Sequence, residues 1–155
     1  MAERQTVEQA HKSAEALFST GVKPKIIRAT LNIINATSAS GDIIRLAKGL
    51  SLANKVVGIF VPKATAAIAG LTDIDFGFYK SNAGAAIDAD ILVDGADPHT
   101  TLAVGELIGD NAYKTIGEHI SKNNDQEYVG GVDLACTLKA TPSASGTITL
   151  WIFIA

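Results

Sequence analysis

Thr147-Ile148-Thr149-Leu150-Trp151-Ile152-Phe153-Ile154-Ala155 is the stretch whose reading decides the fold. It is rich in β-branched and aromatic residues, the composition that suits a pleated, packed surface. Side chains alternate along a strand, so Ile148, Leu150, Ile152 and Ile154 share one aliphatic face. Thr147, Thr149, Trp151 and Phe153 share the other, which turns apolar towards its end. At a free edge such a strand would invite aggregation. It is therefore expected inside a sheet, with its second face covered by the chain itself or by another subunit.

Outward from that stretch the same period recurs. From Lys23 onward, Ile27, Ala29, Leu31 and Ile33 alternate with Arg28, Thr30 and Asn32, the pattern of a half-buried strand. Asp42–Lys48 reads as a second strand, and Lys55–Val61 as a buried one ended by Pro62. Asp73–Lys80 alternates with Ile74, Phe76 and Phe78 inward and Asp75, Gly77 and Tyr79 outward. Glu127–Lys139 is a further strand, with Tyr128, Val132, Leu134, Cys136 and Leu138 on one face and a bulge or close backbone approach at Gly130-Gly131. Between Ala86 and Asn124 the pattern is mixed. Ile87–Val93 fits a strand or a helical turn, and Thr100–Ile108 and Tyr113–Ile120 have helix-like spacing interrupted by glycines. Thr6–Phe18 reads as a short amphipathic helix, with Val7, Ala10, Ala14, Leu17 and Phe18 on its apolar stripe. The expected fold is mainly β, an antiparallel sandwich over 23–155, preceded by an N-terminal helix or arm over 1–22 and carrying short helices around 100–122. Its core is expected to hold Ile27, Leu31, Ile74, Phe76, Phe78, Leu134 and Leu138.

Composition narrows the function. The chain has 155 residues, enough for one domain with a sizeable core and no disulfide staples. Hydrophobic residues make up 47% of the sequence, which argues against disorder. A net charge of −3 with scattered Lys and Arg gives no footprint for nucleic acid. The single cysteine excludes an intrachain disulfide, and no apolar run reaches membrane-spanning length. Residues 1–20 are charged and polar, unlike a signal peptide.

Candidate chemistry is sparse. Asp88, Asp90, Asp94 and Asp97 cluster around a glycine turn, and closely spaced carboxylates are what a hard cation requires. Their spacing departs from an EF-hand loop, so Asp side chains bonding local backbone are the simpler reading, with no tightly bound ion. His11, His99 and His119 lie apart from one another and from Cys136, and are expected at the surface. Cys136 falls on an apolar strand face and reads as a small hydrophobe rather than a nucleophile. No nucleophile elbow or phosphate loop is present, and the sequence makes no positive case for an enzyme or a cofactor.

Two segments carry a resemblance. Gly41-Asp-Ile-Ile-Arg-Leu-Ala-Lys48 followed by Lys55-Val-Val-Gly-Ile59 is one. Asp73-Ile-Asp-Phe-Gly-Phe-Tyr-Lys80 followed by Ala89-Asp-Ile-Leu-Val-Asp-Gly-Ala-Asp97 is the other. Together they resemble the decoration or cement proteins of tailed-bacteriophage heads. The resemblance covers roughly residues 24–155. It implies a jelly-roll-like sandwich, a homotrimer, and a seat on the capsid exterior where major capsid proteins meet. It implies a virion protein made in the host cytoplasm, with no catalysis and no cofactor. A head–tail connector or tail component is the structural alternative. A carbohydrate- or ligand-binding sandwich using Trp151 and the tyrosines is the alternative from another class. Val7, Leu17, Phe18, Trp151 and Phe153 are the candidate interface residues. Deleting residues 2–20 is expected to leave the sandwich folded and to weaken capsid binding.

Overall fold

A computed structural model describes residues 3–6, 25–82, 84–108, 114–123 and 131–155. The strands in chain order are β1 (Glu3–Thr6), β2 (Lys25–Ile33), β3 (Ile43–Leu50), β4 (Val56–Val61), β5 (Ile74–Lys80), β6 (Ala86–Ala96), β7 (Gly105–Glu106), β8 (Val132–Leu138) and β9 (Gly146–Ile154). One described helix, α1 (Ile116–Asn123), lies between β7 and β8. They form an antiparallel sandwich of a five-stranded sheet, β1-β2-β9-β4-β7, and a four-stranded sheet, β3-β8-β5-β6. The terminal strand β9 is indeed internal, paired with β2 along its whole length and with β4 over its second half.

The pairing has a simple rule. β2 pairs with β9, β3 with β8, β4 with β7, and β5 with β6. The chain is thus a long double ribbon, closed by the β5–β6 hairpin and folded so that successive ribbon segments fall in alternate sheets. Asn82, at φ 59°, supplies the left-handed residue of that hairpin, and Lys80 N–H donates to Ala85 O across it.

The alternation read from the sequence sets the core. Ile27, Ala29, Leu31 and Ile33 of β2, and Ile148, Leu150, Ile152 and Ile154 of β9, are buried between the sheets. Ile74, Phe76, Phe78, Leu134 and Leu138 meet them from the other sheet, each no more than 1% exposed. Burial of this kind stabilises by roughly 1.5–3 kcal/mol per large aliphatic or aromatic side chain.

Several expectations are corrected. Asp75, Gly77 and Tyr79 are not solvent-facing; β5 is buried on both faces. Residues 89–92 of β6 bulge out opposite Gly77 alone, because Phe76 pairs with Val93 and Phe78 with Asp88. That bulge folds over the outer face of β5. A Cβ on Gly77 would lie 2.1 Å from Asp88 O, so only glycine permits the approach. β8 likewise is buried throughout and begins at Val132, close after Gly131, whose φ of 86° and approach to Leu50 O match the expected tight backbone contact.

Ile87–Val93 is strand, part of β6. Thr100–Ile108 is not helical: Gly105, at φ 150°, allows only the two-residue β7. The helix that does form is framed by a capping box. Glu118 N–H donates to Thr115 Oγ1 at 3.1 Å, and Thr115 N–H donates to Glu118 Oε2 at 2.6 Å. These bonds hold the Glu118 carboxyl below the usual carboxylate range. At the N-terminus, residues 3–6 pair with β2, so the start of the expected arm belongs to the sheet. The helix expected over 6–18 otherwise lies outside the described residues.

Candidate functional site

Both outer faces of the sandwich carry groups of interest. On the four-stranded sheet, the β6 bulge brings Asp90 and Asp94 to Asp75, with one carboxylate oxygen of each within 4.8 Å of the others. Asp75 is buried, whereas Asp90 and Asp94 are exposed. Asp75 Oδ1 accepts from Gly95 N–H at 2.9 Å, and its Oδ2 lies 3.7 Å from Lys139 Nζ. Asp73 stands beside them, and its Oδ1 is buried with no hydrogen-bond partner among the described residues. Burial first, then the negative charge of Asp75 and a hydrogen bond to it, raise the Asp73 carboxyl above its ordinary value, against the opposing charge of Lys139.

Of the four acidic residues singled out in the sequence, two therefore converge. Asp88 is half-buried in β6, and Asp97 turns its Oδ1 to His99 N–H at 3.0 Å, a local backbone bond of the kind expected. Asp75 was legible only as an outward position of a strand. Its membership depends on a bulge that pairs residues distant in sequence. Chemically, the trio offers hard oxygen donors, and Lys139 is the cation it faces.

Farther along the same sheet lies a partly buried ion pair. Arg45 Nη1 donates to Asp133 Oδ2 and to Lys80 O, both at 2.8 Å, and Nη2 donates to Gly84 O at 2.7 Å. Asp133 Oδ1 also accepts from Gly49 N–H at 2.9 Å. The guanidinium lies 5.3 Å from the centre of the Tyr79 ring, whose hydroxyl hydrogen-bonds Thr137 Oγ1. This arrangement ties β3, β5 and β8 together through polar groups and leaves the Arg45 guanidinium committed. An open cleft of about 670 Å³ beside it runs along β3, lined by Ile34, Asp42, Ile43 and Lys48 among others.

On the five-stranded sheet the outer face is aromatic. Trp151 and Phe153 are half-buried there rather than in the core. Trp151 is flanked in register by Arg28 on β2 and Phe60 on β4. The Arg28 guanidinium sits 5.5 Å from the indole centre, and the Phe60 ring lies 6.4 Å away, tilted by 36°. Phe60 in turn pairs with Glu106, whose Oε1 accepts Ile59 N–H at 2.7 Å. Trp151 Nε1 is buried without a hydrogen-bond partner among the described residues. Phe60 and Glu106 were not singled out in the sequence, and no local signal could have found them, because their place beside Trp151 depends on β4 pairing with β9 and β7. Val7, Leu17 and Phe18 lie outside the described residues.

The remaining candidates separate cleanly. Cys136 is fully buried, and burial followed by the charge of Asp75 drives its thiol far above the ordinary range, as an inert core residue requires. His99 Nδ1 accepts Gly70 N–H at 3.1 Å in an exposed loop. His119 is a correction: it is 3% exposed, its ring 5.8 Å from that of Phe78, because α1 turns this residue onto the end of the core. His11 lies outside the described residues. Among the described residues no helix is long and apolar enough to cross a membrane. No protein-family model matches this chain, and neither a curated protein nor a solved structure does so.

Proposed function

We propose that this chain is a virion structural protein that binds the outside of a phage capsid and cements the shell. The nested pairing of β2–β5 with β9–β6 is the observation that carries the reading. A double ribbon folded into a five-stranded and a four-stranded layer supports a jelly-roll-like reading, the architecture that the resemblance to head decoration proteins implies and one that recurs in capsid proteins. The motif segments behind that resemblance fall on four successive strands, β3, β4, β5 and β6. Jelly rolls also serve lectins, so the assignment rests on this fold-level analogy together with the motifs.

A cement protein acts by mass action: it binds the assembled shell and shifts the balance against its opening. Many symmetric copies then turn a modest contact into a large effect. The test is co-sedimentation of the purified protein with capsids that lack it, paired with the temperature at which those capsids release DNA. Saturable binding with a higher release temperature is expected. Absence of binding, together with retention on a glycan surface, would establish the carbohydrate-binding alternative instead.

A further inference from the structure

We propose that the outer face of the five-stranded sheet is a self-association surface, occupied by the same face of a second copy across a two-fold axis. The geometry is a single row in register across four strands: Arg28 on β2, Trp151 on β9, Phe60 on β4 and Glu106 on β7. From β2 to β7 the row is cationic, then aromatic, then anionic, and β1 continues it past Arg28 with Gln5 in register. Arg28 and Glu106 are exposed, and the two rings between them are half-buried.

Such a row is complementary to itself when reversed. A two-fold axis running along the strands, between β9 and β4, turns the face onto its copy with the strands still aligned, the ordinary relation of packed sheets. Arg28 then meets the partner's Glu106, and Trp151 meets the partner's Phe60. The next row is Ile26, Phe153 and Gly58. The same rotation sets Phe153 opposite the partner's Gly58, over which that chain's own Glu106 carboxylate and Phe153 ring already stand. Opposite charges at the rim with aromatic rings at the centre are the common anatomy of a protein interface. A second copy is favoured over a different protein because one rotation satisfies both charges and both rings. The arrangement differs from the threefold one implied by the sequence resemblance, and it concerns the purified protein, independently of capsid binding.

The experiment is sedimentation velocity over a dilution series, read alongside tryptophan emission. Trp151 is the chain's one tryptophan, so its emission reports this face directly. The expected result is a dimer whose dissociation on dilution shifts the emission to the red. Arg28→Glu should weaken the dimer at least about tenfold, because like charges then face each other. Glu106→Arg should do the same, and the double swap should recover most of the loss. Melting curves run in parallel show that each variant is folded. If Glu106→Arg disturbs the bond to Ile59 N–H, then Glu106→Gln keeps an acceptor there while removing the charge. A monomer at every concentration, a trimer, emission unmoved by dilution, or a dimer indifferent to folded Arg28→Glu would each overturn the proposal.

Discussion

Arg45 shows how one polar residue can hold a face of the sandwich. Its side chain is 14% exposed and that of Asp133 only 2%, so the pair is largely shielded from water. Removing one member strands the other charge. Arg45→Met is expected to cost about 3–5 kcal/mol in urea unfolding, and adding Asp133→Leu should recover part of that loss. A single-variant loss below about 1 kcal/mol would mean that the pair behaves as an exposed one. Asp73 works in the opposite direction. Its carboxyl is raised in the fold, so the folded state holds the proton more tightly than the unfolded chain does. The stability linked to this group is present below the unfolded value and is lost as pH rises through the raised one. Asp73→Asn should therefore raise the melting temperature at neutral pH and narrow its advantage in acid. An unchanged or lower melting temperature at neutral pH would show that the carboxylate is instead well compensated by Lys139.

At the scale of elements, the β6 bulge is the feature on which the acidic group depends. It rests on Gly77, over which Asp88 and Ala89 pass. Gly77→Ala should force the bulge off β5 and lower stability by about 3 kcal/mol, the upper part of the usual range for overpacking. It should also separate Asp75 from Asp90 and Asp94. A near-neutral effect on the melting curve would show that β6 can slide without cost. β1 is the contrasting element, a four-residue strand at the edge of its sheet. Deleting residues 2–20 removes it and uncovers one side of β2. The expected result is a cooperative melt lowered by a few degrees, since the buried faces of β2 and β9 remain. Loss of a cooperative transition would place this segment in the core.

For the molecule as a whole, the two sheets stand or fall on their shared interior. Phe76, fully buried and paired with Cys136, is expected to cost about 3–5 kcal/mol when truncated to Ala. Chemical denaturation gives the value, and a loss below about 1 kcal/mol would place the ring outside the core. How much of this was legible beforehand follows from the range of the interactions concerned. Period-two alternation is local, so the sequence by itself determined the strands β2, β5 and β9, their inward residues and the inner place of the last strand. An aliphatic face and a second face that turns apolar make such a strand a poor edge, and it has a strand on each side in its sheet. Tertiary structure alone decided which strands pair. It alone turned Asp75 and Tyr79 from outward positions into buried ones, through a bulge whose cause is the missing side chain of Gly77. It alone drew Asp90 and Asp94 together while leaving Asp88 and Asp97 apart, and set Glu106 at the end of the row begun by Arg28. These outcomes depend on register between segments far apart in the chain, and a one-residue change of register reverses which face each side chain takes.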